Sequence, residues 1–345
     1  MLRVKRLKIL EIATEVPPFR GGISRLVGVL ADGLRRGGHD VTLLSPRRRF
    51  GEFKLSSIPL RRYQNFDVVH VWGPTPFLSD LLFLTNRGLD LVYTHVADIR
   101  WKSELVSRVY HKLNDRMARS ASVTITLSDD YANELSARGF QNVAVIRPPF
   151  RFDQVDRPFS SLMRSKNRKF TVLYVGQLRP FKAIDVLIEA ASEAKDIDFT
   201  IEGRGYLRKQ LEELAHDSSC DNVKFVSAKG DDELTRLYET SHVICLPSRN
   251  TTEAYGLVLL EGAMFACVPV ASDLLGVREN VKQLHGYTVA PNNPEPLTEV
   301  VRSLAENLDS WTRSAKNSYF AAHHYAQEYS PSYYVKKHLE VFSRM

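Results

Sequence analysis

The stretch Glu253-Ala254-Tyr255-Gly256-Leu257-Val258-Leu259-Leu260-Glu261 decides how the chain reads. It sets two carboxylates eight positions apart around a glycine that marks the start of a helix. The apolar run Val243-Ile244-Cys245-Leu246-Pro247-Ser248 precedes it and reads as a strand, so Glu253 falls in a loop at the carboxyl end of that strand. From Gly256 onward, Leu257, Leu260, Met264 and Phe265 recur at the spacing of one buried helical face. A helix amino terminus beside a glycine-containing loop offers free backbone N–H groups and the positive end of the helix dipole, which suits a phosphate. At 1.5 Å of rise per residue, Glu261 sits about 8 Å further along. One carboxylate then binds a sugar hydroxyl beyond the phosphate, and the other binds ribose hydroxyls on its near side. The pattern predicts a nucleotide-sugar site.

Outward from this segment, short apolar runs alternate with amphipathic stretches along the whole chain. Ile9–Ile12, Val41–Leu44, Val68–Val71, Leu91–Tyr93 and Val123–Thr126 read as buried strands, and Ile23, Leu26, Val27, Leu30 and Leu34 mark a helix between the first two. Arg147-Pro148-Pro149 breaks the pattern. The alternation restarts at Thr171–Val175 and continues through Phe199–Ile201, Val223–Val226, Val243–Leu246 and Val268–Ala271, with helices from about Ile184, Tyr206, Asp231 and Gly256. Alternation of this kind means parallel sheets with helices on both faces. The expected organisation is an α/β domain over residues 1–150, a linker over 151–169, a second α/β domain over 170–312, and terminal helices over 313–345 that cross back toward the first domain. Such domains bind ligands at the carboxyl ends of their strands, so the pair is expected to face across a deep cleft.

Size and composition agree. The 345 residues suffice for two ordinary domains, and 43% hydrophobic with 25% charged residues is ordinary for a soluble globular chain. No apolar run approaches the length of a bilayer span. The basic N-terminal residues lead straight into a strand pattern, so no secretory signal is expected. Cys220, Cys245 and Cys267 lack paired spacing and read as reduced thiols of a cytoplasmic protein. The net charge of +7 is uneven: residues 1–150 hold 23 Lys+Arg against 14 Asp+Glu, or +9, and residues 151–345 hold 24 against 26, or −2. The first half therefore expects an anionic partner, such as a membrane surface or a phosphate-bearing substrate. Within it, Arg108, Lys112, Arg116 and Arg119 share one side of a helix over 104–119, while Leu105, Val109, Leu113 and Met117 follow another. Arg47-Arg48-Arg49 and Arg61-Arg62 add to that charge. A solvated surface is the plain alternative. Nucleic acid is not expected, because interleaved aromatics and a recognisable module are lacking.

Taken in order, several segments resemble the retaining glycosyltransferases of family 4, which have the GT-B architecture of two Rossmann-like domains. They are Val175-Gly176-Gln177-Leu178-Arg179-Pro180-Phe181-Lys182-Ala183-Ile184, Ile201-Glu202-Gly203-Arg204-Gly205, the stretch from Pro247 to Glu261, and Cys267 to Asp273. In the first half, Pro17-Pro18-Phe19-Arg20-Gly21-Gly22, Gly37-Gly38-His39 and Tyr93-Thr94-His95 continue the likeness, which covers nearly the whole chain.

The resemblance implies roles. Lys182 matches a phosphate-binding lysine, and Gly21 and Gly22 a second phosphate loop from the opposite domain. Glu261 matches the residue that grips the ribose and Glu253 the one that contacts the donor sugar. The backbone of Ala254, Tyr255, Gly256 and Leu257 is the expected phosphate cradle. Gly176 and Gly203 belong to the glycine loops, and base contacts are expected from main chain near Ser227 to Lys229. His95 matches a histidine near the reaction centre; His70 also reads as a strand-end histidine. Two positions depart from the family: Gln177 stands where an arginine usually follows the glycine, with Arg179 two residues on, and Ala183 replaces a glycine. Glutamine donates hydrogen bonds but brings no charge. A metal is not expected, because the one Asp-x-Asp pair, Asp196-Ile197-Asp198, reads as a solvated strand start. Lysine and backbone donors would then neutralise the leaving diphosphate.

The expected activity is metal-independent retaining transfer of a hexose from a nucleotide-sugar to a glycan or lipid-linked acceptor. It would occur in the cytoplasm or peripherally on its membrane face. A catalytically silent GT-B partner subunit and a nucleotide-sugar epimerase remain as alternatives.

Overall fold

A computed structural model describes residues 6–18, 21–45, 48–50, 53–55, 63, 65–76, 79–80, 91–100, 103–150 and 157–345, with strands 48–50 and 53–55 as backbone alone. Arg47, Arg61, Arg62, Phe19 and Arg20 lie outside the described residues, as do the side chains of Arg48 and Arg49. The chain forms two compact units, Met1–Arg151 with Glu328–Met345, and Phe152–Gln327.

The first unit is built on β1 (Lys8–Ile12), α1 (Gly22–Arg36), β2 (Asp40–Leu44), the small hairpin β3 (Arg48–Phe50) and β4 (Phe53–Leu55), β5 (Val68–Gly73), β6 (Leu91–His95), α2 (Glu104–Ala118), β7 (Val123–Thr126), α3 (Asp129–Ala137) and β8 (Val143–Val145). Its main sheet runs in the order β2-β1-β5-β6-β7-β8, all parallel. β5 and β6 are buried at every position, as expected of strands covered on both faces. Leu10, Ile12, Val69, Val71, Leu91 and Tyr93 form one core cluster. His70 does not end a strand; it is the third residue of β5, because the apolar run continues through Val71 and Trp72.

The second unit carries α4 (Phe159–Ser165), β9 (Thr171–Val175), α5 (Ile184–Glu193), β10 (Asp198–Glu202), α6 (Arg208–Asp217), β11 (Val223–Val226), α7 (Asp231–Thr240), β12 (Val243–Leu246), α8 (Leu257–Met264), β13 (Val268–Ser272), α9 (Val277–Gln283), β14 (Tyr287–Val289), α10 (Pro294–Glu306) and α11 (Leu308–Glu328). Its sheet runs β11-β10-β9-β12-β13-β14, again all parallel. The stretch read as a linker holds α4, which packs against α7, and the terminal helical run stays with the second unit as far as Gln327.

The last helix, α12 (Pro331–Phe342), packs on α1 within the first unit. A Cβ on Gly33 would stand 2.2 Å from Val335 Cγ2, so the missing side chain sets how closely these helices approach. His338 on α12 is fully buried beside His70 and Trp72. Helix α8 departs from the expected single buried face: Leu259, Leu260, Gly262, Ala263 and Met264 are all buried, and Leu257 is half-buried. It has few positions left for solvent because β12 and β13 both pack on it.

Candidate functional site

In the second unit the strand order reverses between β9 and β12, which pair directly although one follows the other only after β10 and β11. Ligands of open α/β sheets bind at the carboxyl ends of strands where the order reverses. The two loops that leave this point are the ones singled out in the sequence. The loop after β9 carries Gly176, Gln177, Arg179 and Lys182, and the loop after β12 carries Glu253, Ala254, Tyr255 and Gly256.

The loops are joined by side chains. Lys182 Nζ pairs with Glu253 Oε2, and Ser248 Oγ donates to the same oxygen at 3.1 Å. Both ionic side chains are largely buried, at 15% and 11% exposure. Arg249 holds both carboxylate oxygens of Asp185, at 2.7 and 2.6 Å, and its N–H donates to the Phe181 carbonyl. The turn that carries Lys182 is thus tied to the loop that carries Glu253 by two ion pairs and a main-chain bond. Ala183 adopts φ +50° and ψ +46°, the left-handed region where glycine is unstrained. The departure from glycine at this position therefore stores local strain.

Gly256 lies in the left-handed region at φ +72° and caps α8, and a Cβ there would meet Leu246 Cδ2 at 2.8 Å. Buried Asn280 donates to the carbonyls of Tyr255 and Gly256 at 2.9 and 3.1 Å, fixing the peptides that lead into the helix. The Tyr255 ring is buried, with its hydroxyl donating to the Tyr325 hydroxyl, so only its main chain can serve a ligand. Glu261, half-buried one turn further along α8, accepts a hydrogen bond from Tyr238 Oη at 2.8 Å. Burial, and then the adjacent Glu261 charge, hold the Tyr238 phenol well above its ordinary pKa, so it stays a donor to that carboxylate.

The glycine loops pack backbone on backbone. A Cβ on Gly203 would fall 1.8 Å from the Gly176 carbonyl oxygen, and one on Gly205 2.3 Å from that of Leu178. Gly176 N–H donates to the Glu202 carbonyl and Leu178 N–H to that of Arg204. Gln177 is half-buried, and its carbonyl accepts from Tyr174 Oη; Arg179 is exposed. Ser227 Oγ is held by Arg208 at 2.6 Å. Ala228 N–H donates to Glu202 Oε1 at 3.3 Å and Lys229 N–H to Glu233 Oε2 at 2.8 Å. Glu202, at the carboxyl end of β10, has its pKa raised by burial. Asp196 and Asp198 lie at the opposite end of that strand, where Asp198 pairs with Lys169. Among the described residues no group of three or more His, Cys, Asp or Glu could hold a metal. The three cysteines are buried and free.

In the first unit the order reverses between β1 and β5. Gly21 and Gly22 stand at the start of α1, in the connection that leaves β1. Gly21 caps the helix, and a Cβ there would press on Glu15 Oε2 at 2.5 Å; Gly22 faces open space. His95 ends β6, as expected from the sequence, but is fully buried. Its Nε2 lies 3.2 Å from Asp98 Oδ1 and its Nδ1 3.3 Å from Tyr93 Oη. Asp98 also takes Arg138, which grips Asp115 at 2.6 and 2.8 Å. Burial opposes ionisation of Asp98, but His95, Arg138 and His111 together hold its carboxyl well below the usual range. His70 is likewise buried, between Glu11 at 2.8 Å and Thr94 at 2.7 Å. A cavity of about 1150 Å³ between α1 and α12, lined by Leu7, Val29, Val335 and Leu339, lies toward the amino ends of β1 and β5, away from these residues.

Sequence reasoning missed Tyr238, Ser248, the Arg249–Asp185 pair and Glu202. Ser248 and Arg249 lie on the same loop as Glu253, and Asp185 just after Lys182, but no spacing links the two loops to one another or Tyr238 and Glu202 to them; the parallel sheet brings them together.

Two parallel six-stranded sheets in succession are the GT-B architecture. Residues 161–319 match the family described as glycosyl transferases group 1. The chain is 27% identical over 348 residues to O-antigen chain mannosyltransferase C of Escherichia coli, covering 90% of this chain and 92% of that protein. Its fold is like that of WaaG, a glycosyltransferase involved in lipopolysaccharide biosynthesis, with a TM-score of 0.71, 18% identity, and 97% and 99% of the chains covered. It is also like Anabaena Alr3699/HepE in complex with UDP, with a TM-score of 0.73, 17% identity, and 98% and 100% covered. Over residues 161–319, within the second unit, the chain is thus similar to the glycosyl transferases group 1, and the comparisons together support a glycosyltransferase.

Proposed function

We propose that this glycosyltransferase moves a hexose, with retention and without a metal ion, from a nucleoside-diphosphate sugar to a glycan acceptor carried on a lipid or close to a membrane. The Lys182–Glu253 pair at the reversal of the second sheet carries the reading. A diphosphate entering there meets the Lys182 ammonium and the amino end of α8, which supply charge and N–H donors to the departing phosphate. Displaced from Lys182, Glu253 is free to accept from a sugar hydroxyl. Glu261, held by Tyr238, accepts from the ribose. The position of Asp196 and Asp198 at the far end of β10 supports a metal-free site. The E. coli relative, a mannosyltransferase of an O-antigen chain by name, supports a hexose and a glycan. In retaining transfer of this kind the acceptor attacks the face that the phosphate leaves, and the leaving phosphate oxygen takes the acceptor proton. His95, being fully buried, enters as a positioning residue that fixes the end of β6 rather than by touching substrate.

We infer a guanine base from the acceptors beside the turn after β11. The N–H groups of Ala228 and Lys229 are already donated, so the turn after β11 and the Glu202 carboxylate offer acceptors. Guanine presents two adjacent donors, N1–H and N2–H, whereas uracil sets two carbonyl acceptors beside its single donor.

Transfer assays with GDP-, UDP- and ADP-sugars in EDTA, with the anomeric configuration of the product read by NMR, test the whole reading. Retained stereochemistry, activity that survives chelation, and preference for GDP-sugar are expected. Loss of activity on chelation overturns the metal-free route. Binding without turnover would mark a silent partner, and donor turnover without acceptor an epimerase.

A further inference from the structure

The described residues expose seven large apolar side chains, and four of them stand on α2: Leu105 at 71%, Val106 at 51%, Val109 at 52% and Leu113 at 56%. This is not the stripe that the sequence suggested. Met117 turns inward and packs against the core of the first unit, and Val106 takes its place outside. The buried side of α2 is made by Ser107, Asn114, Asp115 and Ala118, with the Asp115 charge matched internally by Arg138.

Successive helical residues turn by about 100°, which gathers Leu105, Val106, Val109 and Leu113 into an arc of about 100° on the outer face. Arg108, Lys112 and Arg119 fall in the arc beside it, and Arg116 falls among the apolar four; all four cations are exposed. Arg100, just before the helix, is exposed as well. Glu104 is the only exposed acid on α2, and Arg108 covers it at 2.6 Å. The outer face therefore combines uncovered apolar area with a net positive edge. Protein–protein interface cores favour aromatic residues, and among the described residues this face exposes none; when its Leu and Val side chains are covered, the Arg116 charge among them must still reach a polar partner. Long basic side chains solve that problem at a lipid surface, where the stem lies among apolar groups and the charged end reaches the headgroups.

We propose that α2 lies in the plane of an anionic bilayer, with Leu105, Val106, Val109 and Leu113 below the headgroups and Arg108, Lys112, Arg116 and Arg119 against lipid phosphates. This deepens the membrane-proximal acceptor reading and rests on it for the lipid source. The geometry is that of an interfacial helix, whose binding combines buried apolar area with attraction to acidic lipid.

Flotation of the full chain with phosphatidylcholine vesicles, with and without about 30% phosphatidylglycerol, tests it at low and high salt. Binding to the anionic vesicles is expected to exceed that to the neutral ones by about tenfold or more. The triple variant Leu105→Ser, Val109→Ser, Leu113→Ser is expected to lose about tenfold or more at every salt concentration, with an unchanged melting temperature because those side chains are exposed. The variant Arg108→Gln, Lys112→Gln, Arg116→Gln is expected to lose the preference for acidic lipid. Equal flotation of the wild type and the triple variant overturns the proposal. So does a wild type that ignores vesicles but dimerises through this face, read as self-association that the triple variant lacks. Nucleoside-diphosphate binding measured without vesicles separates the two readings: its failure alone strikes the donor site and leaves the membrane surface standing.

Discussion

Lys182 and Glu253, 71 residues apart in sequence, form an ion pair across the two loops that leave the reversal point of the second sheet. Without donor, each neutralises the other in a largely buried setting. On the proposed reading, a diphosphate takes Lys182 only by competing with Glu253, and the competition leaves Glu253 seeking donors of the kind a sugar hydroxyl supplies. Ser248, buried against the same carboxylate oxygen, keeps Glu253 in place while its partner changes.

Lys182→Ala is therefore expected to act twice. Removing a positioned cation from a developing phosphate charge lowers kcat by about 100-fold or more. Leaving the Glu253 carboxylate without its partner costs stability by about 2 kcal/mol. The double variant Lys182→Ala, Glu253→Ala recovers part of that stability but no activity. Thermal melts and steady-state kinetics on the same preparations check this; a Lys182→Ala protein with wild-type kcat ends the assignment.

Tyr238→Phe removes only the hydroxyl that holds Glu261. Loss of one hydrogen bond to a charged acceptor is worth about 1.5–3 kcal/mol, or about 10- to 100-fold in affinity. The expectation is weaker nucleoside-diphosphate binding by calorimetry and a raised KM for donor, with kcat nearly kept. The bond is made without donor, so the melting temperature should also fall, but by the loss of that bond alone, because the Phe265 ring stays stacked on the ring that remains as it does on Tyr238 at 5.5 Å. A drop in kcat at constant KM would show that Tyr238 acts on the reaction rather than on the ribose end.

Much of this was legible in the letters. The alternation of strands and helices, the break after Pro149, and the carboxylate pair around Gly256 placed Lys182 and Glu253 in loops at the carboxyl ends of strands and Glu261 on the helix that follows, because local pattern decides where parallel strands end. What the letters could not report is which strands become neighbours. β9 and β12 meet only in the folded sheet, and with them Arg249 meets Asp185 and Tyr238 meets Glu261. The helix over 104–119 shows the same limit: its cations are where periodicity puts them, but Met117 is half-buried against the core and Val106 exposed, because the packing of α2 fixes its rotation and spacing does not. His95 sits at the strand end that the letters predicted, yet its burial against Asp98 and Tyr93 has no signature in them.

Gly203→Ala tests the glycine loops. A methyl group would stand 1.8 Å from the Gly176 carbonyl oxygen, so one of the two loops must move. Overpacking of this order costs about 1–3 kcal/mol, and the movement carries Gly176 and Gln177 out of register. Donor binding is expected to fall by about tenfold or more even where the protein still folds. Gly22→Ala, which meets open space, serves as the contrast for stability. Equal melting temperatures for the two variants would refute the close approach.

Stability should fall as the medium turns acidic, and His242 gives the sign. Burial first, and then the nearby Lys166 charge, push its pKa down to about 4, while an unfolded histidine titrates near 6.5. Its Nδ1 accepts the Thr171 N–H at 3.1 Å, and its ring stacks on Phe170 at 4.6 Å, so protonation removes an acceptor and places a charge in an apolar site. Between the two values the unfolded chain binds the extra proton, so stability rises with pH through this window and falls by about 1.4 kcal/mol per unit on acidification, or about 3 kcal/mol in all. His338, pushed down to about 3 by burial and by His70, adds a second loss of the same sign in the first unit. Urea melts of the second unit's transition at pH 7, 6, 5 and 4.5 read the slope. His242→Asn keeps an acceptor for Thr171 but cannot titrate. It should be less stable at pH 7, because the stacked ring is gone, and flatter by about one proton below pH 6.5. A variant whose stability falls as steeply as the wild type would place the acid sensitivity elsewhere.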